Sequence, residues 1–519
     1  MPAWSESAMR PDPADQAGEP AALAVLQLAR LGDFLQTTPL LAALRARHPQ
    51  ARVLAVVAPA QAPLALGCGL ADEVLLLDPA GLEDAAADPD PARARARLAG
   101  LCAPLWSRPA RAVYNLNLSP LAAGVAAGWA GAARHGWRLG GDGRRLVGAP
   151  WAEFVMLMVA DRRLTRLHLC DILASYAEPA GPPLARLAQR VDPAAAQAVA
   201  RLLPAGRPRV ALQLGANSDL RRWPVENFAA LAQGLLAAGA AVVLVGSQRE
   251  RVLGRRLMRA LGPAGAEVGD LMGRTDLAGL AAALAACDLV VSGDTGSLHL
   301  ATAVGVKTLA LYMGPAAVHE TGPYGAGHLV LQARDHCGPC QEHSPACAGA
   351  APCRRLITPA AALQAALALL EGAGAEQAAA GLELPPAVEP LAGELDGFGQ
   401  RYRPLRPRRL DARAALALAL REAGRVLLRP AYAPPPAGVE LAGEWLAPRP
   451  EDAAGLAGLA AAAQRLALAA ASEDAAQAGG VAGLAPGLRP LAALAGPDAP
   501  PRLAAACRAA AGWLAAAAG

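Results

Sequence analysis

Three short stretches carry the residue types that chemistry needs. In Gln27-Leu28-Ala29-Arg30-Leu31-Gly32-Asp33-Phe34, a carboxylate follows a Gly-containing turn that itself follows an apolar run. In an open α/β sheet such a turn lies at the carboxyl end of a strand, where ligands bind, and Asp33 would be within reach of a substrate hydroxyl. The same Asp can instead cap the helix that follows, and spacing alone divides the two readings evenly.

In Leu214-Gly215-Ala216-Asn217-Ser218-Asp219-Leu220-Arg221-Arg222-Trp223-Pro224, small and polar residues precede an Arg pair and a helix opened by Pro. Backbone amides at Gly215, Ala216, Asn217 and Ser218 can approach a phosphate, and Arg221 can neutralise it. An Arg pair by itself is ordinarily solvated surface. In Ser292-Gly293-Asp294-Thr295-Gly296-Ser297-Leu298-His299, a buried strand runs straight into a helix. The amides of Thr295, Gly296 and Ser297 would form an anion site at that helix terminus, with Asp294 as a cap and His299 one turn inside. A His in that place is more often packed than catalytic. Gly273-Arg274-Thr275-Asp276-Leu277 is a further turn entering a helix.

The elements that must position these groups alternate as an α/β protein does. Apolar runs at Ala21–Leu28, Arg52–Val57, Val74–Leu77 and Ala112–Asn115 read as strands, with a helix at Thr38–Arg47. After the Pro/Ala segment Ala177–Pro204 the rhythm restarts. Strands at Val210–Leu214, Ala241–Val245, Leu289–Ser292 and Thr308–Tyr312 alternate with helices at Val225–Ala237, Glu250–Leu261, Leu277–Ala286 and Leu298–Val304. Two doubly wound lobes with a cleft between them follow. The expected divisions are a polar leader at 1–20, a first lobe at 21–185 and a second lobe at 186–371. An Ala/Pro-rich linker and helical extension would fill 372–519.

A chain of 519 residues exceeds one core, so several domains fit its length. It is 54% hydrophobic and 18% charged, too apolar for a disordered chain. Net charge is +4 with 3% aromatic residues, which argues against a nucleic-acid platform. Ala occurs 133 times and Lys once, at Lys307, against 47 Arg, a compositional bias that drains meaning from any Arg where Lys would serve. The acidic start lacks the pattern of an export signal, and the Ala/Gly run Leu121–Ala133 is too short to span a bilayer. The expectation is a cytoplasmic protein whose nine Cys are thiols or metal ligands.

The stretches LQLARLGDFLQTTPLLAALRARHP, LQLGANSDLRRWPVENFAALA and LMGRTDLAGLAAALAACDLVVSGDTGSLHLATAVGVKTLALYMGP resemble glycosyltransferase family 9, the ADP-heptose:lipopolysaccharide heptosyltransferases. TGPYG at Thr321–Gly325, a four-Cys cluster and an Ile-Thr-Pro helix start at Ile357 continue it, over about residues 21–370. The resemblance implies a GT-B fold of two Rossmann-like lobes, inversion at the anomeric carbon and no metal in catalysis. It makes Asp33 the base on the acceptor hydroxyl and places Arg221 where relatives hold donor phosphates with Lys. Asp294, Thr295 and Gly296 match the nucleotide-diphosphate loop, and His299 its trailing His. Gln27, with Arg30 and Gly32 on the acceptor side, stands where relatives often carry Lys or Arg. Gln248 takes the position of the donor-ribose carboxylate, with Glu250 two residues on.

Cys337, Cys340, Cys347 and Cys353 lie within 17 residues, with His336 and His343 interleaved, a candidate structural zinc site. The five-residue spacing of the second pair is unlike a common zinc ribbon, so reduced thiols or a local disulfide are the alternatives. Asp88-Pro89-Asp90, the only Asp-x-Asp pair, sits in an acidic loop and reads as surface. The basic run Tyr402–Arg409 would touch anionic head groups at the inner membrane, or serve as a solvated linker.

The expected function is transfer of a heptose from ADP-heptose to a lipopolysaccharide inner-core acceptor. The alternatives are a relative using another nucleotide sugar, with a surface polysaccharide or protein as acceptor, and a catalytically silent sugar-nucleotide-binding scaffold.

Overall fold

The computed structural model describes residues 22–140, 145–147, 162, 166–177, 186–334, 340, 347, 351–396, 399–406, 408–409, 414–415, 417–421, 445–446 and 510–511. The expected leader at 1–20, the boundary near 185 and most of the expected helical extension lie outside these residues.

Strands β1 (Ala22–Gln27), β2 (Val53–Val57), β3 (Glu73–Leu76), β4 (Ala110–Asn115), β5 (Ala133–Leu139) and β6 (Arg145–Val147) form the first sheet. Their order is β3-β2-β1-β4-β5-β6, parallel except for β6. The chain crosses over on either side of β1, so a crevice opens at the carboxyl ends of β1 and β4, where the Asp33 turn emerges. β1 and β2 are buried along their whole length, as strands covered on both faces must be.

The helix after β1 starts earlier than periodicity indicates, at Leu31 rather than Thr38, and runs to Arg47. Pro39 inside it cannot donate to the Leu35 carbonyl, and the Thr38 hydroxyl takes that carbonyl instead at 2.7 Å. Thr37 donates likewise to Asp33 O at 2.9 Å. The Thr-Thr-Pro sequence that reads as a helix start is therefore a repaired helix interior.

The second sheet has the order β14-β13-β12-β11-β10-β7-β8-β9. Its parallel part comprises β7 (Arg209–Gln213), β8 (Ala241–Val245), β9 (Gly269–Asp270), β10 (Leu289–Ser292), β11 (Thr308–Tyr312) and β12 (Leu329–Ala333). β13 (Val388–Leu395) and β14 (Gln400–Pro404) then add antiparallel at the β12 edge.

These last two strands correct the expectation for residues 372 onward. The stretch read as a flexible entry continues the second sheet. Tyr402 is buried, with its hydroxyl donating to Pro323 O at 3.2 Å. Two cations of the basic run are used inside the fold: Arg403 bonds Glu394 at 2.6 Å and Glu376 at 3.1 Å, and Arg406 donates to the Leu382 and Leu384 carbonyls. Residues 417–421 are helical, and Ala415, Ala419 and Leu420 join the main apolar cluster. That cluster is continuous from Leu35, Leu41 and Leu44 in the first lobe to Ala281, Leu284 and Leu300 in the second.

Candidate functional site

The Asp33 turn and the Asp294 loop meet. Leu31 and Gly32 open the first helix; Gly296 opens the helix Gly296–Ala303. A Cβ on Gly32 would stand 2.9 Å from His299 Cδ2 and 3.5 Å from Gly296 Cα, and one on Gly296 would strike Leu31 Cδ2. The two helix amino ends thus abut with no room for a side chain on either glycine. Both present amides that no intrahelical carbonyl takes, and both positive dipole ends face one place.

Asp33 serves both readings offered by its spacing. Its Oδ2 accepts the Arg30 N–H at 2.9 Å, closing the first turn of its own helix. Burial nevertheless raises its pKa above the ordinary carboxylate value, against the lowering effects of that N–H, the Arg30 guanidinium and His299. The nearby Asp294 charge pushes the same way as burial. A carboxyl so raised is a stronger base once ionised.

Asp294 does not cap the helix. Thr295 does, its Oγ1 accepting Leu298 N–H at 3.4 Å and exchanging a 2.9 Å bond with the Ser292 hydroxyl. Asp294 turns instead to Arg221, whose Nη1 lies 2.9 Å from Oδ2, while Thr321 Oγ1 donates to Oδ1 at 3.2 Å. Tyr312, buried behind it, donates to Thr321 O at 2.6 Å and fixes that partner. His299 is 3% exposed, with Nδ1 bonded to no described residue; burial depresses its pKa and keeps the ring neutral, against the pull of Asp294 and Asp33.

The second loop stands beside the third. Ser297 Oγ donates to Gln213 Oε1 at 2.9 Å, and Gln213 Nε2 donates to Glu250 Oε1 at 3.2 Å. Ser247 holds the other Glu250 oxygen through its N–H at 2.6 Å and its hydroxyl at 2.8 Å. The Glu250 carboxylate lies so close over Gly215 that any Cβ there would collide with it. Gln248, expected in the carboxylate's place, is exposed and packs against Gly273 instead. The reason is local: Gln248–Glu250 form a single 3-10 turn that turns its last residue, not its first, back over the strand ends.

Around Gly215, Ala216 O accepts from Arg222 Nη2 at 3.2 Å, Ser218 Oγ accepts the Leu220 N–H at 3.3 Å, and Asn217 is exposed. Trp223 anchors the loop from below, donating Nε1 to Ile357 O at 3.0 Å and meeting Phe228 edge to face. Of the residues expected to meet the acceptor, Arg30 is exposed, whereas Gln27 is buried and bonds its own turn. Sequence reasoning missed Gln213, Tyr312 and Thr321. Gln213 carried a signal, being the last residue of a core strand; Tyr312 and Thr321 act through Asp294 and gave none.

Of the four cysteines, Cys337 lies outside the described residues, Cys340 and Cys353 are buried and Cys347 is partly exposed. Among the described residues no group of three His, Cys, Asp or Glu is placed to hold a metal ion.

Residues 118–349 match the sequence profile of glycosyltransferase family 9 (heptosyltransferase). Over that stretch the chain is similar to glycosyltransferase family 9. Among curated relatives, the chain is similar to lipooligosaccharide heptosyltransferase 2 of Haemophilus influenzae, 35% identical over 128 residues, 24% of this chain and 37% of that protein. Lipopolysaccharide heptosyltransferase 1 of Pseudomonas aeruginosa is 35% identical over 136 residues, 26% and 37% of the two chains. The matched stretch thus spans little more than a third of these relatives' length. The solved ADP-heptose lipopolysaccharide heptosyltransferase II of Escherichia coli superposes with a TM-score of 0.53 at 24% identity. That superposition covers 68% of this chain and 100% of the other. The chain therefore has the GT-B architecture of two Rossmann-like lobes. Among its described residues no helix is long and apolar enough to cross a membrane.

Proposed function

We propose that this protein is an inverting glycosyltransferase that moves a heptose from ADP-heptose onto a lipopolysaccharide inner-core acceptor. One observation carries the reading: the contact of Gly32 with Gly296 and His299 puts a carboxyl of raised pKa beside a helix amino end suited to a diphosphate. The family match and its heptosyltransferase relatives support the donor and acceptor class.

In this mechanism the acceptor hydroxyl gives its proton to Asp33 as its oxygen attacks the anomeric carbon. The bond to the diphosphate breaks on the opposite face, inverting that carbon. The departing charge falls to the amides of Thr295, Gly296 and Ser297 and to Arg221, which need no reorganisation at the moment of transfer. Arg221 then shares its guanidinium between Asp294 and the phosphate. We assign Glu250, rather than Gln248, to the donor ribose: its oxygens lie at the strand ends, beside the loop of Gly215. The domain roles follow the lobes, with the acceptor on the first sheet and the nucleotide sugar on the second. An acceptor of this kind is an amphiphile, so its transfer would take place at the inner membrane's cytoplasmic face.

Thermal shift with ADP-, UDP-, GDP- and dTDP-sugars tests the donor. A hundredfold excess over the dissociation constant stabilises by about 2.7 kcal/mol, an easily read shift. ADP-heptose alone should give it; a shift with a UDP-sugar instead would replace the donor. Asp33→Ala should abolish transfer and spare ADP binding, and full turnover in that variant would remove the base assignment.

A further inference from the structure

The turn that delivers Asp33 is held by side-chain amides. Asn117, two residues beyond β4, accepts the Leu28 N–H through Oδ1 at 2.8 Å and donates Nδ2 to Leu26 O at 2.8 Å. It thereby imitates one more residue of the parallel ladder after the backbone pairing has ended. Its orientation is fixed in turn: Asn117 N–H and Nδ2 both donate to Asn115 Oδ1 at 3.1 Å, and Asn115 Nδ2 donates to Trp137 O at 2.8 Å. Gln27 Oε1 accepts the Ala29 N–H at 3.2 Å, and Gln61 Nε2 donates to Ala29 O. All three amides are buried.

Four backbone groups in the four residues Leu26–Ala29 are therefore occupied by three neutral side chains drawn from three elements. Neutrality matters here. A Lys or Arg doing the same work beside Asp33 would favour its ionised form and lower its pKa; amides fix the turn without adding a charge there.

We propose that Asn117, Gln27 and Gln61 are positioning residues that hold the Leu28–Arg30 turn so that Asp33 is presented to the acceptor hydroxyl. This rests on the reading of Asp33 as the base, and it gives Gln27 a task other than touching the acceptor. None of the three contacts substrate; they act through the backbone that carries the carboxylate.

The test uses full-length Asn117→Ala and Gln61→Ala, with hydrogen–deuterium exchange read on peptides covering residues 26–34 and 296–303. Turnover is measured in parallel with ADP-heptose and purified inner-core lipopolysaccharide. Exchange should quicken in 26–34 and stay unchanged in 296–303. The kcat should fall by up to about a hundredfold with donor KM nearly constant, since a displacement of about 1 Å at a reacting group costs that much. Asn117→Asp keeps the acceptor for Leu28 N–H and should restore protection there. Should Asn117→Ala fail to fold, Gln61→Ala releases a single bond and decides alone. Unchanged exchange in 26–34, or faster exchange with kcat intact, would overturn the proposal. A wild-type protein inactive on every nucleotide sugar would remove the base reading, while the exchange comparison would still judge the clamp.

Discussion

Gly32 and Gly296 sit at the amino ends of two helices from different lobes, and the space between them admits no Cβ without displacing His299 or Leu31. Closeness of the Asp33 turn to the Thr295–Ser297 loop is thus a matter of missing methyl groups. Gly32→Ala should wedge the pair, because its Cβ meets an imidazole with no slack. We expect kcat/KM to drop by about ten- to a hundredfold with ADP affinity preserved, as steady-state kinetics and calorimetry would show together.

Asp33 should impose an acid limb on kcat/KM. Burial raises its pKa, so activity is lost on acidification at a pH above the ordinary carboxylate range. The Arg30 charge opposes that shift, so Arg30→Ala should move the limb to still higher pH. A limb that stays put or moves down would contradict the electrostatics described for the turn.

Arg221 is bonded to an Asp294 whose side chain is only 5% exposed. Arg221→Ala leaves that carboxylate buried without its cation, a change costing about 3–5 kcal/mol in comparable pairs. Lower stability in a denaturant titration and weaker ADP binding should appear in the same variant. Arg221→Lys should recover part of both, since the charge returns without the planar fork.

Two buried histidines, His168 and His328, and the half-buried His135 set an acid stability limb. Burial lowers the pKa of His168 to about 3 and those of His135 and His328 to about 4. In the unfolded chain each titrates near 6.5, so the unfolded state takes up protons first as pH falls. Their contribution is complete above about 6.5 and drains away between there and pH 3–4. Thermal melts across that window should show the decline, and His168→Gln should flatten it. His168 suits this comparison because its imidazole bonds Gly322 O at 3.1 Å and Cys170 N–H at 3.2 Å, contacts an amide can partly keep.

Trp223 donates to Ile357 O beneath the Gly215–Ser218 loop. Trp223→Phe keeps the apolar body and strands that carbonyl, which should cost about 1–3 kcal/mol in chemical denaturation. Loss of ADP affinity should follow only where the loop above it loosens.

The alternation of apolar runs made both parallel sheets legible, and the boundaries of Ala241–Val245, Leu289–Ser292 and Thr308–Tyr312 could be read to the residue. β5 was not legible: Ala-Arg-His-Gly-Trp-Arg-Leu alternates poorly, and Gly136 takes a left-handed φ of +90° at a place where a Cβ would strike the Asn115 carbonyl. The last strands hid behind Pro and Gly, which suit an antiparallel edge and mimic a linker. At the site, residue types named the loops, but whether Gln248 or Glu250 turned inward depended on one 3-10 turn. Asn117 was invisible for a related reason: it works on backbone atoms far away in sequence.

β13 and β14 bear on how the molecule can be handled. Asp171, buried in the crossover between lobes, takes the Tyr324 hydroxyl at 2.8 Å and the Gln400 N–H at 2.8 Å. Trimming the chain at the end of the family resemblance, near residue 371, would strip that carboxylate of a donor and leave the rim of β12 with a row of unmatched peptide groups. Such a raw border invites other copies to zip onto it. A shortened product would therefore be expected to clump, and the portion that looks dispensable acts as the hem of the second lobe.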